Sequence, residues 1–125
     1  MKLNNSLYTV TREQRGEDAA SYDVLLDASH VIYQAHFPGQ PITPGVCIIQ
    51  IAKELLEDFV RQPLEAQRVK NVKFLSVLSP VDTPAVTYVL SKVTAEDNGY
   101  KAQAEVKAGD TSLAKISFTC KKKEN

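Results

Sequence analysis

The chain has 125 residues, of which 43% are hydrophobic and 24% are charged. That length fits one domain, and the composition excludes disordered, collagen-like and coiled-coil proteins. Fifteen basic and fifteen acidic residues give a formal net charge of zero, so the sequence shows no broad electrostatic footprint for nucleic acid or an anionic membrane. We expect a single domain over residues 1–125, with a disordered polar tail at 121–125.

The sequence also predicts the compartment. No run approaches the roughly 20 apolar residues of a membrane-spanning helix, and the first five residues lack the apolar region of a secretory signal. Cys47 and Cys120 lack CxxC spacing and, with His30 and His36, they do not have the spacing of a zinc site. We therefore expect a cytoplasmic protein without a disulfide or a metal.

Two strands are predicted before residue 30. Tyr22, Val24 and Leu26 recur at every second position across residues 22–28, which is the pattern of a half-buried strand. Residues 7–10 are a weaker candidate of the same type.

A proline-rich loop follows, with the sequence HFPGQPITPG at residues 36–45. Residues that precede a proline are pushed towards extended backbone angles, and Pro38-Gly39 is typical of a tight turn. The segment is therefore predicted to be a stiff loop that can hold a catalytic side chain at fixed geometry.

The loop leads into the single long predicted helix. Thr43 is a candidate N-cap, and Pro44 suits the first helical position. Residues 46–52 are apolar apart from Gln50, so protein should surround the first half of the helix. The second half carries a stripe that we expect to face solvent. The polar residues of this stripe are Gln50, Lys53, Glu54, Glu57, Asp58 and Arg61.

The remaining predicted elements are strands at 68–75, 85–96, 100–108 and 111–120. Asn98-Gly99 and Gly109-Asp110 are dipeptides that tolerate positive φ, so the last three strands should form a meander. About six short antiparallel strands and one buried helix predict an α+β fold, with the sheet curled round the helix.

The loop and helix motif resembles that of the beta-hydroxyacyl-acyl carrier protein dehydratases, hotdog-fold enzymes of fatty acid synthesis. Their motif is similar to HFPGxPIxPGVxxxE, and this chain has HFPGQPITPGV from His36 to Val46, followed by Gln50. A second stretch, from Val72-Lys73-Phe74 to Pro80-Val81-Asp82, is similar to the family's KFxxxVxPGD. The resemblance covers residues 7–120.

The resemblance implies a hotdog dimer in which each site takes a histidine from one protomer and an acid from the central helix of the other. His36 would remove the C2 proton of a 3-hydroxyacyl thioester carried by acyl carrier protein or CoA. The Gly45 N–H would bind the thioester carbonyl, and Phe37 and Val46 would also contact the substrate. No cofactor is implied.

The chain departs from the family's motif at two positions. Gln50 stands where the catalytic Glu or Asp is expected, and an amide can hold the leaving hydroxyl but cannot protonate it at neutral pH. Glu54 lies one helical turn later, from where it can reach the site through Gln50 or a water. Val81 replaces a glycine, so the turn there must avoid positive φ.

Several interpretations stay open at this point. The chain is a weakened dehydratase, an acyl thioesterase on the same fold with Glu54 as base, or a non-catalytic subunit that pairs with another dehydratase. Cys47 is either a thiol activated at the helix N-terminus or a small core residue. Arg68, Lys70 and Lys73 form either a rim for an acidic carrier protein or a solvated strand face.

Overall fold

Six strands pair into one antiparallel sheet in the computed structural model, which describes residues 2–35 and 39–123. The order across the sheet is β1-β2-β4-β5-β6-β3, so β1 and β3 form its edges. The strands are β1 (Tyr8–Arg15), β2 (Ala20–Leu26), β3 (Leu64–Phe74), β4 (Ala85–Glu96), β5 (Gly99–Ala108) and β6 (Thr111–Lys122). Two helices, α1 (Val31–Ala35) and α2 (Gly45–Val60), lie between β2 and β3 in the chain.

The core lies between α2 and one face of the sheet. Alternate residues of β4, such as Tyr88 and Leu90, are fully buried, as are Ile51 and Leu56 of α2. The Tyr88 hydroxyl donates a hydrogen bond of 3.0 Å to the Ile48 carbonyl, which ties the middle of the sheet to the helix. One long helix packed on an antiparallel sheet is the predicted α+β hotdog fold, and that prediction is confirmed.

The three-strand meander β4–β5–β6 also forms as predicted. Gly109 has φ of 59° in its turn, the conformation for which glycine is suited. Gly99 differs from the prediction, because its φ is not positive and it is the first residue of β5. Glycine is required there because a Cβ would collide with the backbone carbonyl oxygen of Cys120.

Some predicted boundaries were wrong. Pro44, not Thr43, is the N-cap of α2, and no side chain caps the helix. Thr43 is buried, its hydroxyl shares a hydrogen bond of 2.9 Å with the Tyr33 hydroxyl, and its N–H donates to the Leu78 carbonyl at 2.8 Å. Core contacts therefore take the place of the cap.

The edge strands are longer than their sequence patterns indicate. β1 continues to Arg15 and β3 begins at Leu64, because pairing with β2 and β6 holds residues that show no alternation. β6 includes Lys121 and Lys122, so the first two residues of the expected tail pair in the sheet. Within residues 2–35 and 39–123, no helix is long and apolar enough to cross a membrane.

Candidate active site

The N-terminus of α2 follows directly from the proline-rich loop. Pro44 is extended, with φ of −60° and ψ of 145°, and its carbonyl accepts hydrogen bonds from the N–H groups of Cys47 and Ile48. The first N–H groups of a helix have no acceptor within the helix, and they carry the positive end of its dipole. Gly45 and Val46 therefore present groups that suit an oxyanion or a polarised carbonyl oxygen.

Because Gly45 has no side chain, the Phe74 ring can pack against this end of the helix. A Cβ at Gly45 would lie 2.8 Å from the Phe74 ring, so the missing side chain lets the end of β3 pack against the first turn. Phe74 remains half exposed and Val46 is 64% exposed. The helix N-terminus is thus open at the surface of the described chain and has apolar neighbours.

Gln50 lies one turn further along α2 and is partly buried. Its Nε2 donates a hydrogen bond of 2.8 Å to Oε2 of Glu54. The i, i+4 spacing of the sequence places these two side chains on one face of the helix, as predicted. The amide and the carboxylate therefore form a direct pair.

The prediction that Glu54 faces solvent with the rest of the polar stripe was wrong. Only 8% of the residue is exposed. Its carboxylate accepts four hydrogen bonds, from the N–H groups of Leu3 and Asn4 at 2.8 Å, the Tyr8 hydroxyl at 3.0 Å and the Gln50 amide. The interaction with this carboxylate and burial together raise the pKa of Tyr8, with burial the larger cause.

Other residues of the stripe also hold distant segments. Lys53 and Glu57 pair at 3.2 Å, and together they bind the carbonyl and the N–H of Leu64 at the start of β3. Asp58 accepts hydrogen bonds from Arg15 at 3.1 Å and the Tyr22 hydroxyl at 3.0 Å. The polar face of α2 is thus an anchoring surface for β1, β2 and β3.

A groove of about 470 Å³ lies between the loop at residues 39–42 and the segment that connects β3 to β4. Pro41, Ile42, Val77 and Val81 contribute apolar walls. Val81 has no positive φ, as its β-branched side chain predicts. The turn is closed by the Thr83 N–H, which donates to the Ser79 carbonyl at 2.8 Å.

His36, Phe37 and Pro38 lie outside the described residues, so the positions of the predicted base and of one substrate contact stay predictions. The structure brings Gly45, Val46, Gln50 and Glu54 together on the first two and a half turns of α2. Tyr8 could not be recognised from the sequence, because its hydrogen bond to Glu54 spans 46 residues.

The structure also places the histidine, cysteine and basic residues that the sequence singled out. His30 accepts a hydrogen bond from the Ile32 N–H at 3.0 Å, at the start of α1. Burial raises the pKa of the Cys47 thiol, and burial, partly offset by the nearby Lys53 ammonium, raises the pKa of Cys120 to about 11. Both cysteines are buried free thiols, so the interpretation of Cys47 as a core residue is confirmed. Arg68, Lys70 and Lys73 are exposed on β3.

The fold, the motif and the helix N-terminus define a hotdog protein of the dehydratase type. A model of the ApeI-like family, described as ApeI dehydratase, matches residues 12–112, and the chain belongs to this family. It is 30% identical to the 3-hydroxyacyl-acyl-carrier-protein dehydratase FabZ of Latilactobacillus sakei over 97 residues, which cover 72% of this chain and 69% of that protein. The FabZ of Fusobacterium nucleatum is 32% identical over 92 residues, which cover 70% and 64% of the two proteins.

Solved structures share the fold at low sequence identity. The dehydratase heterocomplex ApeI:P of Xenorhabdus doucetiae contains a chain with a TM-score of 0.67 and 17% identity, and the match covers 91% of this chain and 97% of that one. A thioesterase from Haemophilus influenzae matches with a TM-score of 0.64 and 13% identity, covering 93% and 78% of the two chains. At these identities the likeness establishes the hotdog fold alone.

Proposed function

We propose that the protein binds 3-hydroxyacyl thioesters and eliminates water to give the trans-2-enoyl thioester, with weakened acid catalysis. The observation that carries the proposal is the HFPGQPITPGV motif, which ends at the open N-terminus of α2 in a chain of a dehydratase family. The motif supplies a histidine, and the helix supplies N–H donors. An α-proton abstraction needs both a base and a donor for the developing enolate oxygen.

The reaction divides among five residues. His36 takes the C2 proton, and the C2–H electron pair forms the C2–C3 double bond as the C3–O bond breaks. The Gly45 N–H binds the thioester oxygen, while Phe37 and Val46 contact the acyl group. Gln50 holds the C3 hydroxyl by a hydrogen bond. The proton that converts the leaving hydroxyl to water comes from the His36 imidazolium or from solvent.

The amide at position 50 sets the expected rate. General acid catalysis contributes about 10²- to 10⁴-fold, which corresponds to roughly 3 to 5.5 kcal/mol of barrier. We therefore expect turnover below that of a dehydratase with a carboxylate at this position.

The same proposal includes a homodimer or larger assembly. β3 is an edge strand with β6 on only one side in the described chain, and an unpaired edge favours association. Exposed apolar residues lie at its end and in the loop that follows, namely Phe74, Leu75, Val77 and Val81. We propose acyl carrier protein or CoA as the carrier and the cytoplasm as the location.

The thioesterase alternative needs Glu54 as the base that activates water. Each Glu54 oxygen already accepts two hydrogen bonds, which places the carboxylate poorly for taking a proton from a bound water. We therefore favour elimination. A subunit of a heteromeric dehydratase is the second candidate, because the similar Xenorhabdus chain was solved in a dehydratase heterocomplex.

One product assay separates these functions. Purified protein is incubated with 3-hydroxyacyl, 2-enoyl and saturated acyl thioesters of several chain lengths, and the products are weighed by mass spectrometry. A loss or gain of one water on the first two substrates supports the proposal. Release of free thiol from the saturated thioester would instead identify a thioesterase, and turnover only after addition of a second dehydratase subunit would identify a heteromeric subunit.

A further inference from the structure

We propose that the outer face of the sheet, opposite α2, binds a small molecule that carries two or more phosphate groups. Two grooves of about 470 and 500 Å³ lie on this face, and Asn71, Gln103 and Ser117 line both of them. The grooves therefore form one continuous hollow, the outer depression. Because the sheet separates the outer depression from α2, it is a different site from the proposed thioester site.

The register of the sheet places uncharged polar side chains in one row at the centre of the outer depression. Their strand neighbours, such as Ala104 and Ile116, are buried in the core, and successive side chains point to opposite faces of a sheet. Amides and hydroxyls donate hydrogen bonds, which phosphate oxygens accept. The row crosses four strands, and its members pair in the order Asn71, Ser117, Gln103 and Ser91.

Lysines lie on both sides of this neutral row. Lys73 and Lys115 are directly opposite each other on β3 and β6, where two like charges repel unless an anion lies between them. Asp18 and Glu105 are the carboxylates that line the outer depression, so its charge is positive. Among residues 2–35 and 39–123, none of its exposed lysines forms an ion pair. These lysines are Lys70, Lys73, Lys92, Lys101 and Lys115.

Lys92 has an unfavourable backbone conformation at the side of the outer depression. It lies in a bulge of β4 between Ser91 and Thr94, and its φ of 52° is in the left-handed region, which lysine seldom adopts. The Val93 N–H donates to the Asp18 carbonyl at 3.0 Å, and the Thr94 hydroxyl donates to the Lys92 carbonyl at 3.1 Å. Bulges redirect side chains, and strained residues cluster at ligand sites. The conformation therefore indicates a role for the Lys92 amine.

Charge and chemistry favour a compact phosphate compound as the occupant. Lysine carries a compact charge on a flexible stem and binds phosphate as a point charge, so amines from both sides can converge on one anion above the neutral row. A second copy of this face would bring lysines against lysines. A single-stranded nucleic acid would need aromatic stacking platforms, and Phe118, which borders the outer depression, is buried in the core.

Calorimetric titration with sodium tripolyphosphate at low ionic strength tests the site. We expect one tripolyphosphate to bind per protomer, with weaker binding of pyrophosphate and the weakest binding of inorganic phosphate. Each affinity should fall as salt is added, because the contacts are between charges at the surface. Wild-type protein that does not bind tripolyphosphate would overturn the proposal.

Lys92→Gly tests the role of the strained lysine. The variant should bind tripolyphosphate at least about tenfold more weakly, the size of one charge-assisted hydrogen bond. Glycine adopts a φ of 52° without strain, so urea denaturation should show a variant about as stable as wild type. Lys2→Ala is the matched control, because Lys2 is also exposed but lines a groove beside the polar face of α2. Equal affinities in the two variants would overturn the proposal.

Gln103→Ala distinguishes a phosphate site from a diffuse positive surface, because it removes a hydrogen-bonding group and changes no charge. Its affinity for tripolyphosphate should be about threefold lower or more. An unchanged affinity would mean that the lysine charges alone attract the anion and would contradict a specific site. A hexaglutamate peptide that binds more tightly than tripolyphosphate would also contradict it and would indicate an acidic protein as the occupant.

Competition with CoA identifies where the phosphate groups come from. If CoA displaces tripolyphosphate, and Lys92→Gly weakens CoA binding to the same extent, the occupant is the nucleotide portion of CoA. If CoA does not displace it, the occupant is a free oligophosphate. Either result supports a phosphate site at the outer depression.

Discussion

Gln50 and Glu54 illustrate how one exchange of residue types changes the chemistry that a helix face can perform. The family motif places a carboxylate at the first of these positions, whereas here the carboxylate lies one turn later and binds the N-terminal segment. A carboxyl group can supply a proton at the first position. An amide there donates and accepts hydrogen bonds but cannot give up a proton at neutral pH.

At the residue scale, His36 is expected to be the base. His36→Ala should lower dehydration, and the reverse hydration, by at least about 10²-fold, because general base catalysis is lost. His30→Ala is the control, since the His30 imidazole accepts a hydrogen bond from the Ile32 N–H at the start of α1 and has no proposed part in the reaction. Steady-state rates with a 3-hydroxyacyl thioester measure both variants, and near wild-type turnover in His36→Ala would remove this residue from the mechanism.

Most elements of the fold could be predicted from the sequence. The strands of the meander alternate apolar and polar residues, so their faces follow from local pattern alone. The polar face of α2 could not be predicted, because Glu54 binds Leu3 and Tyr8 across 51 and 46 residues. A stripe of charged residues on a helix has the same sequence pattern whether its side chains face water or bind backbone groups of distant segments.

The same distinction applies to single residues in the elements. Asn98 lies in the turn between β4 and β5, but Gly99 belongs to β5, and glycine is required there because β5 and β6 approach closely. Similarly, threonine is a residue type that favours the N-cap position, but the hydroxyl and the N–H of Thr43 make core contacts instead. Local chemistry predicts the position of a boundary better than it predicts the contacts made there.

At the element scale, Gly99→Ala tests the packing of β5 against β6. The added Cβ meets the Cys120 carbonyl, which is backbone and cannot rotate away. We expect a loss of about 2 to 4 kcal/mol in the free energy of unfolding, as for other strained or overpacked sites. Gly109→Asn is the control, because φ of 59° suits Asn and a Cβ there has open space.

Urea denaturation followed by circular dichroism measures both glycine variants. Gly109→Asn should stay within about 0.5 kcal/mol of wild type. A Gly99→Ala protein as stable as wild type would show that the two strands do not approach as closely as described.

At the scale of the whole molecule, stability should fall in alkaline solution. Burial raises the pKa of Cys120 from 9.0 to about 11, and burial is also the largest cause of the raised pKa values of Tyr8, Tyr22 and Tyr88. These groups stay protonated in the folded protein above the pH at which they ionise in the unfolded chain. The stability that these protonated groups give the folded protein is therefore complete below about pH 8.5 and is lost as the pH rises towards 11.

Thermal melting between pH 7 and pH 10.5 checks this dependence. The melting temperature of the wild type should decline above pH 9. Cys120→Ala should decline less steeply, because one of the ionising groups is gone. Parallel curves for the two proteins would mean that the Cys120 thiol ionises equally in the folded and unfolded states.

The assembly is a second property of the whole molecule. Light scattering should give at least twice the protomer mass of 13.8 kDa at micromolar concentration, because the open edge of β3 and the apolar residues after it favour pairing. Val77→Lys should weaken this association. Leu25→Lys is the control, since Leu25 is also an exposed large apolar residue but lies on β2. A wild-type monomer throughout this range would contradict the shared-site model.

Whether the amide at position 50 limits elimination is tested by the rate at which wild-type protein and Gln50→Glu convert one 3-hydroxyacyl thioester to the 2-enoyl thioester, measured by mass spectrometry. The substitution is nearly isosteric, and repulsion from Glu54 should help the new carboxyl group to hold a proton. We expect slow elimination by the wild type and a rate at least about 10-fold higher for Gln50→Glu. A Gln50→Glu protein that forms no enoyl product, although folded and oligomeric, would contradict this expectation.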